Sequence, residues 1–418
     1  MTSKINAKTI LFSALIFSMI IPIYGMNNVA DAATAEDQAT TADLVQRNSA
    51  QWNDNMPDYV KAYKETGLDA KQVRQNLENT NKFSFEFKGQ SYDLNLYEFD
   101  LRAPDAKAFI RDAQGNMVEV EKEDIKTYQG YVDGDKSKSV FLLVSENDVA
   151  GFVKNGDSEI TIEPLRNYDD ASEATKHIIY EAKIATLDNV REQVIPVSSL
   201  QQLILPEAEA ANDYLMRVVM DCDRQYYLLG TGNWQSRLLT LMGGITADYA
   251  TETSIGISVE ATVCDTAGTE YTSTNHHTLW DQVRDEWDGS SSYTNRHTVV
   301  MITGKDMSGC TIGIVEPDYS PPVSNKDKGS YAIVQAVNDS CSVYGGSPQE
   351  EKQELMHEMG GHIMGATHNA ASSFTCGSDT CWTIMKPLID VGSYSLRSMT
   401  FSTTNESTID THAQSYLE

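Results

Sequence analysis

Three of the eight histidines of this 418-residue chain lie within twelve residues near its C-terminal end. They are His357, His362 and His368, and Glu358 directly follows the first of them. Neutral imidazole is a common zinc ligand, and catalytic zinc sites combine three protein ligands with one open position. The cluster therefore predicts that the chain folds so as to bring these three rings to one metal ion.

The spacing between His357 and His362 restricts the backbone between them. Residues four apart on an α-helix lie about 40° apart around its axis, whereas residues five apart lie about 140° apart. A regular helix would point the two rings away from each other, but a π-helical bulge absorbs one extra residue. Gly360 and Gly361 lie between the histidines, where a helix deforms most easily. We therefore expect a bulge or break between Met359 and Gly361.

The same five-residue spacing resembles the zinc motif of dipeptidyl peptidase III, over six residues only. That resemblance implies that such a spacing can hold zinc. The spacing also predicts that deletion of Gly361 is tolerated, because the deletion lets a straight helix present His357 and His362 on one face.

The N-terminal end has the pattern of a secretory signal. Lys4 and Lys8 precede an apolar run from Ile10 to Ile23, and a signal-peptidase site follows at Ala30-Asp-Ala32. We expect residues 1–32 to be a signal peptide and the mature protein to be secreted and extracellular. No second long apolar run follows, which argues against a membrane protein. The net charge of −28 argues against nucleic acids and anionic membranes as partners.

The cysteines also fit an exported chain, because their number is even and disulfides persist outside the cell. The six are Cys222, Cys264, Cys310, Cys341, Cys376 and Cys381. Three disulfides are expected, and fifteen pairings are possible from the sequence alone. Placement on the predicted strands favours the pairs Cys222–Cys264, Cys310–Cys341 and Cys376–Cys381.

The distribution of cysteines divides the chain into two units, since all six follow residue 221. Residues 40–80 are polar and helix-like, and from Phe83 onward apolar and polar residues alternate as in strands. We expect a β-rich domain over 33–205, an exposed linker over 206–212 and a second domain over 213–418.

In the second domain, strand and helix patterns alternate, which predicts an α/β (α+β) fold with a mixed, mostly parallel, twisted sheet. The predicted strands cover 214–220, 255–263, 298–302, 311–315 and 331–337, and the predicted helices cover 234–251 and 279–287. A long helix begins at Pro348, with Ser347 as its N-cap and Glu350 completing a capping box. That helix runs into the histidine cluster.

Residues 213–418 resemble the catalytic domain of the adamalysin/reprolysin metzincins, the ADAM-like zinc metalloproteases. The segment from His362 through Gly365 to His368 matches the second half of the family's zinc motif. Thr383-Ile-Met385 resembles the family's Met-turn, and 310–315 resembles its edge strand. Residues 128–165 resemble its pro-domain, which implies that 33–205 is a pro-domain and that the protein is made as a zymogen.

The chain departs from the family pattern in three ways. The extra residue after Glu358 is the first, and Asn369 in place of an aspartate is the second. The third is the absence of cysteine before Cys222, so the family's cysteine-switch latency cannot operate here.

The resemblance and the histidine cluster together imply roles for the site residues. One zinc ion would be bound by His357, His362 and His368, with Glu358 as general base and Met385 beneath the metal. A substrate peptide would add as an antiparallel strand along an edge strand. That edge strand comprises Thr311, Ile312, Gly313, Ile314 and Val315.

We therefore expect a monomeric, secreted zinc endopeptidase that hydrolyses peptide bonds in proteins or peptides through a zinc-bound water. The alternative is a secreted binding or structural protein on a catalytically decayed metzincin fold. The sequence leaves open the peptide-bond specificity and the presence of a structural Ca²⁺.

Overall fold

The computed structural model describes most of the chain after residue 60. The described residues are 60, 63–155, 158–169, 172–183, 214–229, 233–289, 296–309, 311–315, 330–337, 346–368, 373–376, 379–385 and 399–417. The predicted signal peptide and linker, together with Cys310, Cys341 and Asn369, lie outside these residues, as do the side chains of Cys376 and Cys381. Among the described residues, no helix is long and apolar enough to cross a membrane.

Strands and helices are numbered here in chain order within the described residues. The strands are β1 (Tyr63–Gly67), β2 (Lys82–Phe87), β3 (Gln90–Phe99), β4 (Arg102–Arg111), β5 (Met117–Val120), β6 (Lys126–Val132), β7 (Asp135–Val144), β8 (Val149–Asn155), β9 (Ser158–Pro164), β10 (Lys176–Lys183), β11 (Tyr214–Cys222), β12 (Ile255–Asp265), β13 (Thr298–Thr303), β14 (Gly313–Ile314), β15 (Ser330–Gln335), β16 (Ser373–Cys376) and β17 (Asp379–Trp382). The α-helices are α1 (Ala70–Thr80), α2 (Arg224–Leu229), α3 (Trp234–Thr253), α4 (His276–Gly289), α5 (Pro348–Leu355) and α6 (Thr403–Tyr416).

The first sheet is antiparallel throughout and lies in the N-terminal half. Its strand order is β1-β10-β9-β8-β7-β6-β3-β2. The alternation that began at Phe83 is confirmed in β2, where Phe83, Phe85 and Phe87 are buried and the residues between them are exposed. The expectation of a helix-like segment over 40–80 is confirmed for α1, while residues 40–59 lie outside the described residues. Tyr63 to Gly67 form a strand instead, because they pair with residues 176–180 of β10.

The second sheet is mixed and mostly parallel, as the alternation of strands and helices predicted. Its order is β14-β15-β13-β11-β12-β4-β5. The inner pairs β15–β13, β13–β11, β11–β12 and β12–β4 are parallel, whereas the two outer pairs are antiparallel. Buried parallel strands require helices over both faces, and α3 packs against β12 on one side while α4 packs against β15.

Two strands of the second sheet come from the N-terminal half of the chain. Strands β4 and β5 precede residue 205, yet they extend the C-terminal sheet beyond β12. By their contacts, residues Thr41–Glu418 group as one compact unit. The β-rich segment and the α/β segment therefore share a sheet within one folded body.

The predicted disulfide between Cys222 and Cys264 is confirmed. Cys222 ends β11 and Cys264 lies near the end of the neighbouring parallel strand β12, so the bond joins adjacent strands. The pairings of the other four cysteines stay predictions, because their side chains lie outside the described residues.

Candidate metal centre

Helix α5 begins as its sequence predicted. The Ser347 hydroxyl accepts a hydrogen bond from the backbone N–H of Glu350, and the Glu350 carboxylate accepts one from the backbone N–H of Ser347 at 2.9 Å. The backbone N–H groups of Ser347 and Glu350, which have no partner within the helix, are thereby satisfied, and this fixes where the helix starts. The start of α5 in turn sets the direction in which the histidines are presented.

After Leu355 the helix continues as a π-helix from Met356 to His362. The backbone N–H of Ile363 donates to the carbonyl of Glu358 at 3.1 Å, five residues back. That wider turn accommodates the extra residue, so the predicted bulge is confirmed. Gly365 ends the helix with φ of +82°, a left-handed conformation that glycine adopts readily, and the chain turns there towards His368.

The π-helix and the turn bring the three histidine rings together. The Nε2 atoms of His357 and His368 are 3.2 Å apart, and those of His362 and His368 are 2.9 Å apart. One ring nitrogen from each residue lies within 4.8 Å of the other two. Zinc–nitrogen bonds of about 2.0–2.1 Å in a tetrahedron separate ligand nitrogens by about 3.3 Å. The spacing of the nitrogens therefore fits a single tetrahedral zinc ion.

Backbone carbonyls on the far side of the rings orient two of the histidines. His357 Nδ1 lies 2.7 Å from the carbonyl oxygen of Ile384, and His362 Nδ1 lies 3.0 Å from that of Ala366. A carbonyl only accepts, so each Nδ1 carries the proton and each Nε2 presents a lone pair to the cluster. Two imidazole lone pairs directed into a cluster of three histidines make the donor set suited to a metal ion.

The centre is buried on one side and open on the other. His357 is 3% exposed, His362 is half-buried and His368 is exposed. A ligand could therefore approach a metal from the side of His368. The protein supplies three donors, and a catalytic metal site also requires an accessible fourth position.

Two carboxylates border the centre, only one of which the sequence analysis identified. Oxygen atoms of Glu358 and Glu354 lie within 4.8 Å of a ring nitrogen of His357 and of each other. Both glutamates are buried, with exposures of 5% and 4%. Glu354 precedes Glu358 by four residues, hence by about one helical turn, and that spacing was the signal available in the sequence.

The predicted edge strand lies beside Glu358 but is shorter than expected. Only Gly313 and Ile314 form β14, paired antiparallel with Val334 and Ile333 of β15. The expectation of a strand from Thr311 to Val315 is therefore wrong in length. β15 ends at Gln335, whose N–H donates to the carbonyl of Ile312, so Thr311 has no residue of β15 opposite it.

Gly313 explains how closely the edge strand approaches the glutamates. A β-carbon at this position would lie 2.6 Å from Glu354 Oε1 and 2.7 Å from Glu358 Oε1. At such distances a side chain at 313 would force the buried carboxylates to move, so glycine permits the close approach of β14 to Glu354 and Glu358 as they stand. The edge strand and the candidate base are thus neighbours.

Met385 lies directly under the π-helix. A β-carbon on Gly361 would meet its Sδ at 2.2 Å, and Met385 is completely buried.

The preceding glycine, Gly360, faces Tyr249 of α3, whose hydroxyl donates to the Gly360 carbonyl at 3.2 Å. Burial raises the pKa of Tyr249, which keeps that hydroxyl protonated and able to donate. The sequence analysis did not identify Tyr249, because nothing in its local sequence links it to residue 360.

No curated protein matches the sequence. Among solved structures, the fold is similar to that of metalloproteinase-II from Bacteroides fragilis, with 12% sequence identity and a TM-score of 0.49. The match covers 83% of this chain and 97% of that protein.

A similarity to a protein family is found in the C-terminal half, where the structure places the three histidines, Glu358 and Met385. Residues 212–402 match the reprolysin model of metallo-peptidase family M12.

Proposed function

We propose that this protein is a secreted zinc endopeptidase whose metal is held by His357, His362 and His368. The observation that carries the proposal is the convergence of three histidine Nε2 atoms with a buried glutamate at their side. The family match supports a metallopeptidase. The signal-like N-terminal sequence supports secretion.

Glu358 has the position and chemistry of a general base. Its carboxylate lies beside His357 without being needed as a fourth ligand, because three histidines complete the usual protein set. When bound, zinc supplies a Lewis acid that lowers the pKa of water and polarises the scissile carbonyl. Glu358 takes the proton of the attacking water and delivers it to the leaving amine.

The substrate backbone would bind along β14. This strand is at the edge of the sheet within the described residues, and edge strands can pair with an extended peptide. Because Gly313 touches the Glu358 carboxylate, a peptide paired with β14 would hold its scissile bond near the proposed base. Main-chain pairing alone would make few demands on the substrate sequence.

A substitution of Glu358 tests the mechanism. We expect Glu358→Ala to lower the kcat/KM for casein or a quenched fluorescent peptide by about 100-fold or more. We also expect the variant to retain about one zinc per chain by elemental analysis, because Glu358 is not a ligand. Glu119→Ala is the matched control, since Glu119 is an exposed glutamate on β5 at the opposite edge of the same sheet.

Three results would oppose the proposal. Unchanged activity in Glu358→Ala would eliminate the glutamate as base. Loss of zinc with loss of activity would make Glu358 a ligand instead. Purified parent protein without zinc or peptidase activity would favour the alternative of a decayed fold with a binding or structural role.

A further inference from the structure

The segment before residue 184 supplies an interior part of the C-terminal sheet. Strand β4 pairs in parallel with β12, in a register from Ala261 opposite Lys107 to Asp265 opposite Arg111. The backbone N–H of Val259 also donates to the carbonyl of Leu101 at 2.9 Å. Without β4, β12 would present a long, unpaired edge made largely of buried residues, many of them apolar, which favours aggregation.

A buried ion pair joins the two halves inside that sheet. Both guanidinium Nη atoms of Arg111 donate to the carboxylate of Asp221 on β11 at 2.9 Å, and both side chains are completely buried. Tyr271 and Trp287 also donate to Asp221 Oδ2. Loss of Arg111 would leave the carboxylate of Asp221 buried without its counter-charge, which is strongly unfavourable.

Helix α3 of the C-terminal half is shaped to fit the N-terminal sheet. A β-carbon at Gly243 would lie 2.1 Å from the ring of Phe141, and one at Gly244 would lie 2.6 Å from the ring of Phe152. Two consecutive glycines weaken a helix interior. Here they allow close packing of α3 against β7 and β8, so the helix depends on the N-terminal half for the contacts that compensate this weakness.

The helix that leads to the histidines is attached to the same sheet. Lys352 forms an ion pair with Glu159 of β9, and their side chains are 1% and 3% exposed. Gln349 donates to the hydroxyl of Thr161 on the same strand. The main apolar core likewise mixes the two halves, since Phe141 and Leu143 belong to one cluster with residues of α3 and α5.

From these contacts we infer that the N-terminal half is a permanent structural partner of the C-terminal half. Cleavage between the halves leaves a two-chain particle in which residues 63–183 still complete the sheet and support α5. This relation differs from that of a pro-domain that departs on maturation. It does not depend on the proposed peptidase activity, because it concerns only the interface within the fold.

A site-specific nick in the intact protein tests the inference. We would insert a protease recognition sequence between Glu207 and Ala208, in the predicted linker, and use a Glu358→Ala background to prevent self-cleavage. After cleavage of the folded protein, the two fragments should elute together on gel filtration at about 10 nM, as expected for an obligate interface. Separate elution without denaturant would overturn the inference.

Substitutions on β4 identify what holds the fragments together. In the nicked protein, Arg111→Ala should raise the dissociation constant about 100-fold or more, because it breaks a buried ion pair. Lys107→Ala is the matched control, since Lys107 lies on the same strand in an exposed pair with Glu119 and should change the constant less than about fivefold. Equal effects of the two substitutions would overturn the role of the buried pair.

Discussion

Gly361 is the position where the extra residue of the motif can be tested most directly. Its β-carbon in a Gly361→Ala variant would lie 2.2 Å from Met385 Sδ and 2.7 Å from Met385 Cε. Met385 has no exposed surface into which it could move. Either the sulfur or the π-helix must therefore shift by more than about 1 Å to restore an ordinary contact.

Two opposing terms set the magnitude of the effect on stability. Overpacking a core by one methyl group costs about 1–3 kcal/mol, whereas replacing glycine by alanine within a helix gains up to about 1 kcal/mol. We expect a net loss of about 1–2 kcal/mol in the free energy of unfolding. Met385 follows Ile384, whose carbonyl orients His357, so the shift should also weaken zinc binding about 10-fold to 100-fold.

Gly360→Ala provides a matched control one residue away. Its β-carbon would lie 3.0 Å from Tyr249 Cε2 and 3.6 Å from Phe401 Cζ, which requires only a small adjustment. We expect its stability and zinc affinity to stay close to those of the parent. Thermal unfolding and zinc titration against a competing chelator measure both quantities. A Gly361→Ala protein as stable and as zinc-competent as Gly360→Ala would refute the packing of Gly361 on Met385.

Three further predictions concern other contacts. Gly313→Ala should lower kcat/KM about 10-fold to 100-fold with zinc retained, because its β-carbon displaces the Glu358 carboxylate; steady-state kinetics and elemental analysis check this. Gly243→Ala should lower the melting temperature despite the better helix propensity of alanine, because the methyl group meets the Phe141 ring. Burial lowers the pKa of His177 to about 4, below its usual 6.5, so the folded state resists protonation. The free energy of unfolding should therefore decrease by about 3 kcal/mol as the pH falls from 6.5 to 4. His177→Gln should flatten that acid-induced loss in urea unfolding between pH 4 and pH 8.

The local geometry of the centre could be predicted because it depends on residues close in sequence. The five-residue spacing of His357 and His362 excludes a regular helix by rotation alone, and the Gly360–Gly361 pair indicated where the deviation occurs. The helix start at Ser347 was equally local, since the capping box involves two residues that are three positions apart. Each of these features could be inferred without knowledge of the rest of the fold.

The neighbours of the centre could not be predicted in the same way. The sequence analysis did not identify a strand at Arg102–Arg111, and the local sequence carries no information about which sheet such a strand would join. Its partner β12 lies about 150 residues later, and the choice depends on shape and charge across the whole core. Similarly, the contact of Gly313 with Glu358 arises because two distant segments meet, which an isolated glycine in a strand pattern does not reveal.

Contacts between distant segments reverse the prediction, made from the spacing alone, that deletion of Gly361 is tolerated. The deletion restores the four-residue separation of His357 and His362, but it also rotates everything upstream by about 100° relative to everything downstream. Helix α5 has no face that tolerates this rotation, because every side chain from Gln349 to Leu355 except Glu350 is buried.

The buried ion pair of α5 determines the expected size of the effect. Rotation would separate Lys352 from Glu159, and breaking a buried pair costs about 3–5 kcal/mol out of a total stability of about 5–15 kcal/mol. We therefore expect the deletion variant to be insoluble or to lack zinc, whereas Gly361→Ala keeps its helix register and folds. Solubility, circular dichroism and zinc content distinguish the two variants. A deletion variant that melts with the parent and binds zinc would show that α5 can turn within its surroundings, and that the π-helix is a local accommodation of one residue on which the remaining core does not depend.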